Sequence, residues 1–267
     1  MYKLFAIDMD DTLLRGDLSI SDKNKNRIEY AANQGVKIVF CSGRSSLSIL
    51  NYINDLKIRG CDEFLISYNG AMIFDIRNKK YILEKYVEPF YVKELIDYGR
   101  KKELNVQLYL DDKIIVEKYD DRTKEYEKLS GLNAVKVRDL KEVIAKGSIK
   151  VLFNNEADVL NNIKKELDIY IGEKLNIFFS KPYYLEFLNK NTDKGISLLE
   201  LAKSLDISKN EIMAIGDSYN DISMIKKAGL GIAMKNGNEE IKKHANYITK
   251  NDNDKDGVAE AIEQFIG

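Results

Sequence analysis

Three apolar runs, each halted by a polar cluster, constrain this chain more than any other feature. Residues 2–7 stop at Asp8, residues 36–40 stop at Cys41-Ser42-Gly43-Arg44, and residues 211–215 stop at Gly216-Asp217. Short apolar runs bounded by turn residues suit strands buried on both faces. Ser21 caps a predicted helix to about Gln34, Gly35 ends it, and a second helix reaches about Leu56 after the Arg44 cluster. A third strand is expected over 63–67, followed by a hairpin through 72–76 that turns at Asn78-Lys79-Lys80. Strand–helix–strand order implies right-handed crossovers and a parallel sheet. Ligands bind such sheets beyond the carboxyl ends of the strands, so the three clusters are expected to meet in one crevice.

The pattern changes at about Glu84. A helix over 91–103, alternating strands over 106–110 and 114–118, and further mixed segments to Leu188 suit an α+β unit with an antiparallel sheet. From Lys194 the first mode returns, with a helix to about Ser204, the apolar run before Asp217, a helix to about Ala228 and a strand over 230–233. The prediction is an α/β protein: a Rossmann-like parallel-sheet core formed by 1–83 and 189–267, interrupted by an α+β cap domain over 84–188. Pro89 and Pro182 fall near the edges of the insert and are candidate hinges.

Forty-two basic against forty-three acidic residues give a net charge of −1, so no field steers the chain toward nucleic acid or an anionic membrane. No apolar stretch approaches the ~20 residues of a membrane helix, and no signal peptide precedes the first strand; a cytoplasmic location is expected. Cys41 and Cys61 are expected as reduced core thiols. One histidine, His244, leaves no partner for zinc or for Ser-His-Asp chemistry.

Brought within ~4 Å of one another, Asp8, Asp10 and Asp217 would repel by ~4 kcal/mol per pair at an effective dielectric near 20. Such a constellation calls for a cation, and hard oxygen ligands favour magnesium. Asp8-Met9-Asp10-Asp11-Thr12-Leu13 resembles the first motif of the haloacid dehalogenase superfamily. Ser42-Gly43-Arg44, Lys194-Gly195 and Gly216-Asp217-Ser218-Tyr219-Asn220-Asp221 resemble the second, third and fourth motifs, in order. Asn69-Gly70-Ala71 and the place of the insert are similar to the Cof-type sugar-phosphatase-like branch. Asp11 departs from the pattern, since many relatives carry Gly there.

The resemblance implies a magnesium-dependent phosphatase of small phosphorylated metabolites. Asp8 would attack phosphorus to form an aspartyl-phosphate, Asp10 would serve as acid and then base, and Lys194 would neutralise developing charge. Magnesium would be held by the Asp8 carboxylate, the Asp10 main-chain oxygen and the Asp217 carboxylate, with Asp221 either a direct ligand or orienting the site from behind the ligands. Thr12, Ser42, Gly43, Arg44, Asn69, Gly70, Lys194 and Asn220 would hold the phosphoryl group or substrate, with Asn220 alternatively bonded to Lys194. Arg44 is equally suited to pairing with an acidic neighbour. In the cap, Tyr183 and Glu186 are candidate substrate contacts. Phosphoryl transfer to a sugar by the same nucleophile is the alternative. The run from Asp252 through Gly257 to Glu263 matches a calcium-loop spacing, but a strand precedes it and a helix is already under way within it, so the acidic run is expected to cap that helix instead.

Overall fold

The computed structural model describes residues 1–56 and 64–267; Cys61 lies outside the described residues. Along the chain come β1 (Leu4–Asp8), α1 (Asp22–Asn33), β2 (Lys37–Cys41), α2 (Ser46–Leu56), β3 (Phe64–Ser67), β4 (Met72–Asp75) and β5 (Lys80–Glu84). Then follow α3 (Pro89–Lys101), β6 (Asn105–Leu110), β7 (Lys113–Val116), α4 (Asp121–Ser130), β8 (Ala134–Lys136), β9 (Val151–Asn154), α5 (Ala157–Ile171), β10 (Leu175–Lys181) and β11 (Tyr184–Asn189). The last stretch holds α6 (Lys194–Ser204), β12 (Ile212–Gly216), α7 (Ile222–Lys227), β13 (Leu230–Ala233), α8 (Glu239–Lys242), β14 (Tyr247–Ile248) and α9 (Gly257–Phe265). No helix among the described residues is long and apolar enough to cross a membrane.

The chain divides into two compact units, Met1–Leu83 with Asp193–Gly267, and Glu84–Thr192. Residues 189–192 group with the second unit rather than the first because Asn189 closes β11 and its amide donates to the Tyr86 carbonyl.

In the first unit eight strands form one sheet in the order β14-β13-β12-β1-β2-β3-β4-β5. Those from β14 to β3 pair in parallel, and β4 returns antiparallel to β3. Strand alternation sorts β1 between two cores. Phe5 and Ile7 pack with Ile28 of α1, Ile49 of α2 and Ile262 of α9, whereas Leu4 and Ala6 pack with Leu198 and Leu201 of α6 and Ile225 of α7. Helices on both faces explain why all of β1 and β12 is buried and why neither shows a polar alternation.

The second unit has a six-stranded sheet, ordered β10-β11-β9-β6-β7-β8. Its pairs are antiparallel except β7 and β8, which run parallel because α4 carries the chain across between them. Val106, Leu108, Val151, Phe153 and Phe187 face Val92 and Leu95 of α3 and Leu160 and Ile163 of α5 in one apolar core. The alternate residues build a buried polar cluster instead. Lys150 donates to Glu186 (3.1 Å) and to the Tyr126 hydroxyl (3.0 Å), and it lies 4.5 Å from the centre of the Tyr109 ring. Glu186, expected as a substrate contact, is thus a buried partner of Lys150 and Ser180. Neither proline marks an edge between the units. Pro89 opens α3, where its missing N–H costs nothing, and Pro182 lies in the β10–β11 hairpin.

Candidate active site

Register brings the polar clusters together. Ile7 pairs with Ile215 and Asp8 with Cys41, so the residues that follow β1, β2 and β12 leave the sheet side by side. Asp8 ends β1 and is buried. The chain then turns through Asp10, which is extended (φ −68°, ψ 131°), and Asp11, which is left-handed (φ 56°). The residue that departs from the family pattern therefore occupies a conformation that Gly adopts without cost and Asp tolerates.

Lys194, 0% exposed, is the hub. It opens α6, whose N-cap is Asp193; that side chain accepts from the Ile196 amide at 2.6 Å. The Lys194 ammonium donates to Asp8 Oδ1 (2.5 Å) and to Asp221 Oδ1 (2.6 Å). Asp221 uses its other oxygen to accept the amides of Asp217 and Ser218, both at 3.1 Å, which fixes the loop after β12. Gly216 is required there, since a Cβ on it would meet the Asp221 Cβ at 2.6 Å. Gly195 is required likewise, because a Cβ would come within 2.4 Å of the Ser223 carbonyl.

Asp8, Asp217 and Asp221 each offer a carboxylate oxygen, all within 4.8 Å of one another. With Lys194 as the partner ammonium, three carboxylates and one cation carry a net charge of −2 when all are ionised. This excess raises the pKa of two of the carboxylates. Burial, then Asp221, raise Asp8 well above the usual carboxylate range against the pull of Lys194. Burial and Asp221 push Asp217 up to about 7. Burial alone would lower Lys194, but Asp221 and Asp8 outweigh it and hold the ammonium protonated. A divalent cation of oxygen preference would cancel the excess, so the donor set fits magnesium. The Asp10 side chain is not in this group.

The other expected residues are distributed as follows. The Thr12 hydroxyl, fully buried, donates to Asp217 Oδ1 at 2.9 Å. The Ser42 hydroxyl accepts the Arg44 amide at 3.1 Å, and the Ser42 carbonyl accepts the Asn69 amide at 3.0 Å. Asn69, left-handed at φ 55°, accepts from the Asn220 side-chain amide at 3.0 Å, so Asn220 bonds Asn69 and not Lys194. Gly43 lies against Asn69, and Gly70 packs so near the Asp193 carbonyl that a Cβ would stand 2.4 Å away. The Arg44 guanidinium is placed on Asp10, with Nε 2.9 Å from Oδ2 and Nη2 2.5 Å from Oδ1.

Sequence reasoning missed three supports. Asp193 carries the ordinary signal of an N-cap before a helix, whereas Ser223, whose hydroxyl accepts the Gly195 amide at 3.0 Å, and Asn236, whose amide donates to the Asp11 carbonyl at 2.7 Å, carry none. The calcium-like run is taken up by the protein itself. Asp254 accepts the Gly16 amide, Asp256 pairs with Arg15, and Glu263 pairs with Arg27. Asp256 stands at the start of α9 in a left-handed conformation and makes no side-chain cap bond, so the expected capping by that residue is replaced by tethering of the loop after β1.

The family described as haloacid dehalogenase-like hydrolase matches residues 5–262. The chain is 31% identical to the 5-amino-6-(5-phospho-D-ribitylamino)uracil phosphatase YcsE of Bacillus subtilis, over 99% of this chain and 96% of that protein. A haloacid dehalogenase-like hydrolase from Bacteroides thetaiotaomicron superposes with a TM-score of 0.90 at 35% identity, covering 99% of both chains. The Thermotoga maritima protein TM0651 gives a TM-score of 0.91 at 32% identity, over 99% of this chain and 98% of that one.

Proposed function

The chain belongs to the haloacid dehalogenase-like hydrolase family, and from that premise we propose that it is a magnesium-dependent phosphatase of a small phosphorylated metabolite, acting through an aspartyl-phosphate on Asp8. The observation that carries the proposal is the buried cluster of Asp8, Asp217 and Asp221 around Lys194, with its uncancelled negative charge.

Asp8 is the nucleophile. One carboxylate oxygen bonds to phosphorus while the ester oxygen leaves with a proton from Asp10; water, giving a proton back to Asp10, then attacks phosphorus and frees the Asp8 carboxylate. Lys194 holds Asp8 in place and opposes the charge that develops beside it. Ser42, the Gly43 amide and the Asn69–Asn220 pair, which adjoin one another, suit the phosphoryl oxygens, since hydroxyl and amide groups can donate to them. Asp8, Asp217 and Asp221, with the Asp10 main-chain oxygen, would hold magnesium, which when bound supplies positive charge against the carboxylates and the phosphoryl oxygens.

The substrate class rests on kinship. YcsE is named for removing phosphate from a ribityl chain, and a phosphorylated sugar or sugar-like chain is accordingly the first compound class to test. Phosphate release from sugar phosphates, nucleotides, flavin mononucleotide and pyridoxal phosphate should be magnesium-dependent and should match substrate consumed. Consumption without inorganic phosphate would replace hydrolysis by phosphoryl transfer; no turnover of any compound by folded, magnesium-binding protein would count against the proposal.

A further inference from the structure

We propose that Tyr52 and Arg44 form a positioning relay that aims the Asp10 carboxylate at the leaving oxygen; the inference rests on Asp10 being the acid and base of the proposed reaction. Left to itself, Asp10 is poorly fixed. It sits in a turn between the buried end of β1 and a left-handed residue, and 47% of its side chain is exposed. Only the guanidinium of Arg44 grips it, through Nε to Oδ2 (2.9 Å) and Oδ1 (3.2 Å) and through Nη2 to Oδ1 (2.5 Å), among the described contacts. A forked contact of this kind fixes the plane of a carboxylate as well as its position.

Arg44 is itself aimed from behind. Its guanidinium carbon lies 4.9 Å from the centre of the Tyr52 ring, a cation–π arrangement, and its side chain is 19% exposed. Tyr52 is half-buried on α2 and packs against the apolar core beneath that helix. Tyr52 belongs to none of the motifs of the sequence. Its ring face and hydroxyl are nonetheless what limit the directions open to Arg44, and hence to Asp10. Neither residue needs to touch the reacting atoms, so both are positioning residues. An Arg44 that merely gripped phosphate would point its fork elsewhere than at Asp10.

The relay makes a prediction that a phosphate-gripping or purely structural role does not. Protonation of the departing oxygen matters greatly for an alkyl ester and little for p-nitrophenyl phosphate, whose phenolate leaves readily. kcat/KM reports events through phosphoryl transfer to Asp8, and grip on the phosphoryl group cancels in the ratio of alkyl to aryl values. The fastest alkyl ester of a sugar-phosphate panel and p-nitrophenyl phosphate are the probes. In Tyr52→Leu and Arg44→Met the ratio should fall by roughly tenfold or more, a part of the ~100-fold or greater factor that general acid catalysis supplies. Tyr52→Phe, which keeps the ring face and removes only the hydroxyl that also interacts with Arg44, should lose less of the ratio than Tyr52→Leu, and aryl turnover reports that each variant is folded. Equal loss on both esters, or an unchanged ratio in Tyr52→Leu, overturns the relay. Asp10→Asn separates the two levels of the argument. If it leaves the ratio intact, the acid assignment itself is wrong; if it collapses the ratio while Tyr52→Leu and Arg44→Met do not, only the relay is.

Discussion

The Lys194 ammonium lies 2.5 Å from Asp8 Oδ1, a pair joined across 186 positions of sequence in which the lysine is wholly buried and Asp8 nearly so. One lysine is shared by Asp8 and Asp221 while Asp217 stands nearby, so the site is under-neutralised by construction. That imbalance governs the predictions about stability and metal as much as those about rate.

Asp8→Asn should abolish phosphate release, by several orders of magnitude, yet raise the metal-free melting temperature. Burial and Asp221 disfavour the charged form of Asp8, so a neutral amide of the same shape removes a cost while Asp221 still holds Lys194. Calorimetry in chelator at neutral pH measures it, and a lowered melting temperature would show that the Asp8–Lys194 pair stabilises more than it strains.

Asp217 should set the pH dependence of magnesium binding. Its folded value, about 7 against an ordinary 3.8, means that the folded protein holds this proton more tightly than the unfolded chain. Metal-free stability from this group is then lost as pH rises from about 4 to about 7. Magnesium competes with that proton, so the thermal shift it produces should grow from about pH 5.5 to about pH 8.5. A shift that is flat across this range would contradict the assignment of Asp217 as a ligand.

At Asp11 the backbone is left-handed, φ 56°. Asp11→Gly should fold and turn over normally, whereas Asp11→Val should lose roughly 1–2 kcal/mol of stability, because a β-branched residue pays the full steric penalty there. Denaturant melts compare the two; equal stability would mean the turn rearranges.

In the second unit Lys150→Met should be costly, by about 3–5 kcal/mol, because Glu186 would remain buried with its charge uncompensated. The double variant Lys150→Met, Glu186→Leu should recover much of that loss. For the wild type the sign with pH follows from Lys150, pushed up to about 12 by Glu186 and Tyr126 against the opposing effect of burial. Its contribution is complete below the ordinary 10.5 and disappears as pH rises through about 12. An unfolding titration that shows no loss over this interval would remove the pair from the stability of the unit.

Much of this was legible in the sequence because the core strands are short, apolar and sharply ended. Residues 2–7, 36–40 and 211–215 each announce both a strand and the loop that leaves it, and the sheet register then brings Asp8, Ser42 and Asp217 to one end. Contacts between side chains were not legible. Nothing local indicates that Arg44 is directed to Asp10, that Asn220 bonds Asn69, or that Glu186 is buried on Lys150, since each depends on the pairing of distant segments. The parallel β7–β8 pair was hidden for another reason: β8 is three residues long, with too few positions to display a period.

The neighbours of β1 in the sheet are β2, made soon after it, and β12, which begins at Ile212. During synthesis at roughly 5–20 residues per second, Asp217 leaves the ribosome about 10–40 s after Asp8. For that interval β1 has one open edge, which is the kind of surface that invites wrong partners. The Asp8 carboxylate also lacks Lys194, Asp217 and Asp221, so a truncated chain, however well its first half folds, carries Asp8 without the charged groups that meet it in the folded protein.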